Sequence, residues 1–127
     1  MKKKYIVGDL VRYTSLYKEP VAEICEVCET SYLIRFMNGH FARVTNEEIK
    51  PLPLTTKILE KNGWKKDSKW YYLKTRRAYL YTIQDAGQSD EFLICACTDK
   101  HNLTSVSFVH QLQHLLFGLG LNSEMEV

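Results

Sequence analysis

Two histidines and two pairs of cysteines are the first residues whose types and spacing suggest chemistry. His110 and His114 stand four apart, and on a helix that spacing puts both imidazoles on one face, at the separation zinc proteases use. Such enzymes also need an acid beside the first histidine and a third ligand, whereas here Gln111 follows His110. The pair is read as part of a solvated polar face, and no metal ligand is assigned. Cys25-x-x-Cys28 has zinc-ribbon spacing and Cys95-x-Cys97 does not. In a strand Cys95 and Cys97 share a face with Leu93, while Cys25 and Cys28 point to opposite faces unless a turn intervenes. All four are read as small buried hydrophobes carrying free thiols, because free cysteine is among the most buried residue types.

Signatures of catalysis are lacking. There is no Walker loop, no G-x-S-x-G elbow and no G-x-G-x-x-G opening a helix; Gly118-Leu119-Gly120 ends one. The carboxylate pairs Glu47-Glu48 and Asp90-Glu91 are accounted for by helix capping and by a solvated loop. No catalytic residue and no cofactor follow, and no small-molecule substrate is evident.

Charge is distributed unevenly. Residues 57–77 hold eight Lys/Arg and two Asp/Glu, a balance of +6. Residues 78–127 hold one and six, a balance of −5, and residues 1–56 are nearly neutral at +1. The basic stretch interleaves its cations with Trp64, Trp70, Tyr71, Tyr72, Tyr79 and Tyr81. Phosphates need cations and unpaired bases need aromatic platforms, so this mixture suits a nucleic-acid surface. The candidate binding residues are Lys61, Trp64, Lys65, Lys66, Lys69, Arg76 and Arg77. Two considerations oppose that reading. Strand alternation must turn half of these aromatics into the core, and the basic stretch has an acidic counterpart in the C-terminal segment, within the chain or across an oligomer. A protein partner or self-association is therefore expected ahead of nucleic acid.

The elements that would position these residues divide at Pro51-Leu52-Pro53-Leu54, a stiff extended connector. Residues 1–52 read as short strands at Ile6–Tyr13, Val21–Val27, Tyr32–Met37 and Phe41–Val44. Asn38-Gly39 predicts a type I′ hairpin between the last two, and Thr45-Asn46-Glu47-Glu48 has capping-box spacing for one helical turn. Together they predict a small SH3-like β-barrel. Residues 53–127 begin with a helix over Thr56–Asn62, capped by Thr55, stapled by Leu54 and Leu59, and ended by Gly63. A three-stranded antiparallel meander follows, with strands at Lys69–Lys74, Tyr79–Ile83 and Phe92–Thr98. A C-terminal amphipathic helix over Val106–Leu119 then gathers Phe108, Val109, Leu112, Leu115, Leu116 and Leu119. At 100° per residue these fall in one arc of about 120°, opposite His110 and His114. The fold class is α+β.

The strings Pro51-Leu52-Pro53-Leu54-Thr55, Ile58-Leu59-Glu60-Lys61-Asn62-Gly63-Trp64 and Val109-His110-Gln111-Leu112-Gln113-His114-Leu115-Leu116-Phe117 resemble signatures of a family of short Bacteroidetes proteins, often encoded in phages and mobile elements. The resemblance spans roughly residues 51–121. It departs at His114, where that family commonly carries asparagine. The family has no assigned activity, so the resemblance implies a bacterial or phage setting and transfers no site residue.

Composition is ordinary for a globular protein, at 45% hydrophobic and 25% charged. Met1-Lys2-Lys3-Lys4 is followed by only Tyr5-Ile6-Val7 before Gly8-Asp9, too short for the apolar region of a signal peptide. The apolar runs at 92–97 and 115–121 fall short of the roughly 18 residues of a membrane span. A cytoplasmic protein away from the membrane is expected. Its function is read as a non-catalytic binding or adaptor protein, and the resemblance implies a phage or mobile-element accessory role. The alternative is a nucleic-acid-binding protein using residues 61–77, and the third reading is a metal-dependent enzyme using His110 and His114.

Overall fold

The structure, a computed structural model, describes the backbone of residues 4–75, 79–84, 91–96 and 101–127, and their side chains except at 84, 96 and 101–103. Arg76, Arg77, Cys97 and the loop 85–90 lie outside the described residues. The chain divides into two compact units, Met1–Leu52 and Pro53–Val127.

The first unit is one antiparallel sheet of β1 (Leu10–Tyr13), β2 (Val21–Val27), β3 (Tyr32–Phe36), β4 (Phe41–Val44) and β5 (Ile49–Pro51), in the order β4-β3-β2-β1-β5. Alternation along β2 and β3 buries Ala22, Ile24, Tyr32 and Ile34 against Tyr5 and Val11. Burial, together with the neighbouring Tyr32 and Asp9, pushes the Tyr5 hydroxyl up to about 12. The residue therefore serves this core as a neutral ring, edge-on to Tyr32 at 5.7 Å. No closed barrel forms, since the described pairing leaves β4 and β5 as the sheet's two edges.

Local details differ from expectation for local reasons. β1 starts at Leu10 because Gly8, at φ +95°, turns the chain and the Asp9 N–H donates to the Ile6 carbonyl. The β3–β4 hairpin is present, but only Gly39 is left-handed, at φ +89°. The Gly39 N–H donates to the Phe36 carbonyl at 2.9 Å and the Phe36 N–H to the His40 carbonyl at 2.8 Å, giving a three-residue loop with a glycine bulge instead of a type I′ turn. The turn after Thr45 is a 3₁₀ turn over Asn46–Glu48. The Thr45 N–H donates to the Glu48 carboxylate at 2.9 Å, and this bond, with that of the Thr45 hydroxyl, holds the Glu48 carboxyl below the usual carboxylate range.

The second unit opens with α1 (Thr56–Lys61), whose Ile58 N–H is capped by the Thr55 hydroxyl. Gly63, at φ +87°, ends it in a Schellman motif: the Gly63 N–H donates to the Glu60 carbonyl and the Trp64 N–H to the Leu59 carbonyl. The sheet that follows has five strands, not three. β6 (Lys65–Asp67), β7 (Trp70–Lys74), β8 (Tyr79–Gln84), β9 (Phe92–Ala96) and β10 (His101–Val106) form a continuous antiparallel meander. β6 pairs with β7 through the two-residue loop Ser68-Lys69, with Ser68 at φ +58°. α2 (Val109–Gly118) starts three residues later than expected because β10 runs to Val106. Gln111 reaches back to accept from the Ser107 and Phe108 N–H groups. No helix among the described residues is long and apolar enough to cross a membrane.

Candidate nucleic-acid interface

Alternation sorts the second sheet into two faces. Tyr71, Leu80, Thr82, Phe92 and Ile94 are buried on one. The Tyr71 hydroxyl donates to Glu60 of α1 at 3.3 Å, and Leu73 lines a cleft with Leu116 of α2, so both helices lie on this side. Trp70, Tyr72, Tyr79 and Tyr81 therefore stand on the other face. Register brings them together, with Tyr72 opposite Tyr81 and Lys74 opposite Tyr79. The Tyr72 ring lies 6.0 Å from Tyr79 and 6.3 Å from Tyr81, and Trp70 meets Tyr81 edge-on at 6.4 Å. Tyr79 is 38% exposed, and Trp70, Tyr72 and Tyr81 are half-buried, so the cluster presents ring surface while supporting itself.

Cations border this cluster. β6 sets Lys65 beside Tyr72 and Lys66 beside the buried Tyr71 in register, and Lys66, Lys69 and Lys74 are exposed. A cleft of about 310 Å³ is lined by Lys66, Asp67, Tyr72, Tyr79 and Tyr81, and a second of about 210 Å³ includes Lys65, Tyr72, Lys74 and Tyr79. Tyr72 and Tyr79 line both. The ion pairs among the described residues, Arg12–Glu19, Arg35–Glu23 and Arg43–Glu26, all lie in the first unit, which leaves these lysines uncompensated by a bound carboxylate.

Of the candidate binding residues, Lys61, Lys65, Lys66 and Lys69 are exposed, with Lys61 in the last turn of α1 and Lys69 at the β6–β7 turn. Trp64 is a correction. It is 3% exposed: the Schellman motif turns the residue after the glycine back toward the helix, the Trp64 N–H donating to the Leu59 carbonyl. No base can stack on it. Arg76 and Arg77 lie outside the described residues. The residues that form the platform, Tyr72 and Tyr79 with Trp70 and Tyr81, were signalled by strand alternation, which places 70 and 72 opposite the buried 71.

No protein-family model, curated protein or solved structure matches the chain.

The histidine pair is placed differently from expectation. His110 is buried, stacked on Phe108 at 6.0 Å and edge-on to His114 at 5.6 Å. The buried stripe of α2 runs through Val109, His110, Leu112, Gln113 and Leu116, while Phe117 and Leu119 are exposed. It is rotated from the apolar arc toward His110 and Gln113. Among the described residues no three of His, Cys, Asp and Glu converge as a metal site would require. Cys95 is buried, but Cys25 and Cys28 are only half-buried. Cys25 sits where the β2–β3 register slips, and the Cys28 sulfur accepts from the Arg43 guanidinium at 3.1 Å.

Proposed function

We propose that the chain is a non-catalytic binding protein whose second unit takes single-stranded nucleic acid across the aromatic face of its sheet, the one opposite Tyr71. The observation that carries this reading is the Tyr72–Tyr79–Tyr81 cluster, on the sheet face opposite Tyr71 and bordered by lysines that form no ion pair among the described residues. Aromatic rings supply sequence-tolerant stacking for unpaired bases, and the cations follow the backbone. Duplex DNA would offer no base faces to such a platform. Tyr72 and Tyr79 provide the stacking surface, while Lys65, Lys66, Lys69 and Lys74 provide the phosphate contacts.

A specific observation also favours a protein partner for the first unit. Leu16, Pro20, Phe36, Met37 and Phe41 line an apolar cleft of about 520 Å³, with Met37 and Phe41 well exposed. The order β4-β3-β2-β1-β5, with a 3₁₀ turn before β5, suits an SH3-like module, a class that often serves adaptors. The two readings occupy different units and are compatible. A phage or mobile-element role rests on the sequence resemblance alone.

Fluorescence anisotropy of a labelled single-stranded oligonucleotide over a series of salt concentrations tests the nucleic-acid reading. Log affinity is expected to fall linearly with log salt, at a slope of about 0.7 per phosphate neutralised. Replacing Lys65 and Lys66 by alanine should reduce that slope by up to about 1.4. Absence of binding at low salt, where electrostatic attraction is strongest, would refute the reading and leave the protein-partner alternative.

A further inference from the structure

We propose that residues 121–127 form an acidic strap that competes internally with nucleic acid for the cations beside the aromatic face. The inference rests on the nucleic-acid reading and concerns how that site is regulated. α2 ends in a second Schellman motif, with Gly120 at φ +73°, its N–H donating to the Phe117 carbonyl and the Leu121 N–H donating to the Leu116 carbonyl. This motif reverses the chain. Beyond it, Leu121, Ser123, Met125 and Val127 are half-buried, whereas Asn122, Glu124 and Glu126 are exposed. That period of two is the pattern of an extended segment laid along a surface.

The segment is also held by hydrogen bonds. The Asn62 side-chain amide donates to the Glu126 carbonyl at 2.7 Å and accepts from the Glu126 N–H at 2.8 Å, the two bonds a neighbouring strand would make. The Gln113 amide donates to the Ser123 carbonyl at 3.2 Å. Leu121 and Met125 line a cleft of about 650 Å³ together with Leu73 and Leu116, and Lys61, Lys74, Glu124 and Glu126 line the same cleft. Lys74 also lines the smaller cleft that contains Tyr72 and Tyr79. Two carboxylates of the strap thus share a cleft with Lys74, a cation that also borders the stacking platform. These carboxylates are exposed and form no ion pair within 4.0 Å among the described residues, so they lower the local positive potential without locking the described lysines. An approaching phosphate chain meets that reduced potential, and its binding weakens the strap's attachment by the same coupling.

The test compares the double variant Glu124→Gln/Glu126→Gln with the charge-matched control Glu29→Gln/Glu47→Gln, whose glutamates are exposed in the first unit. The strap variant keeps every backbone hydrogen bond of the segment. It is expected to bind a labelled single-stranded oligonucleotide about 3- to 10-fold more tightly at low salt, with the gain disappearing as charges are screened above about 0.3 M. The control should change by less than about twofold. In the unaltered protein, saturation with the oligonucleotide should shift the Asn62 side-chain amide resonances. Equal tightening by both variants, no tightening by the strap variant, or an unmoved Asn62 signal during binding would each overturn the coupling while leaving the nucleic-acid reading intact. Absence of oligonucleotide binding by all three proteins would remove that reading, and the competition with it.

Discussion

Trp64→Ala is expected to destabilise the second unit by about 3–5 kcal/mol, the range for removing a large buried aromatic side chain. Trp64 is 3% exposed, and it follows the glycine that ends α1, its N–H bonded to the carbonyl of the fully buried Leu59. A loss of this size is comparable with the whole stability of a small unit, typically about 5–15 kcal/mol. Urea denaturation followed by amide resonances of the second unit measures it, and Trp64→Phe should recover much of the loss. Had Trp64 been a stacking platform, its removal would have weakened nucleic-acid binding and left the unfolding midpoint unchanged.

The opposite pattern is expected on the other side of the sheet. Replacing Tyr72 or Tyr79 by alanine should weaken single-stranded oligonucleotide binding by about 1–3 kcal/mol per lost stack, or roughly 5- to 150-fold. The unfolding midpoint should move little by comparison, because both rings retain exposure and neither lies in the helix-covered core. The salt slope should remain the same, since no cation is removed. Tyr72→Phe should bind nearly normally because the ring face is preserved. The two alanine effects are not expected to add, as the rings are neighbours at 6.0 Å and each positions the other.

What could be read from the sequence was what short-range chemistry determines. Thr55, Leu54, Leu59 and Gly63 mark α1 because capping, stapling and left-handed termination each act within a few residues. Alternating β-branched and aromatic residues mark β2, β3 and β4 for a similar reason. β6 was hidden because all three of its residues are charged and its turn places a left-handed backbone on Ser68, where glycine or asparagine would have been the signal. β10 was hidden by the slip between Asn102 and Thr104, which interrupts the period of two. Barrel closure depends on contacts between strands distant in sequence, and local pattern carries no information about it. His110 shows the same limit, since a helix's apolar arc gives its approximate docking direction and tertiary packing shifts the buried stripe by one residue. Trp64 was legible in principle: once Gly63 is placed just past α1, the next residue is expected to pack back on the helix, and the aromatic platform must be sought on the strands.

The most direct test of the nucleic-acid interface is a titration of the ¹⁵N-labelled protein with a short single-stranded oligonucleotide at low salt, read residue by residue. Binding is predicted to shift the Trp70 indole and the amides of Lys65, Tyr72, Tyr79 and Tyr81, while the core of the first unit holds its position. An unchanged spectrum, or shifts concentrated on α2 around His110, would contradict the assignment of the aromatic sheet face as the binding site.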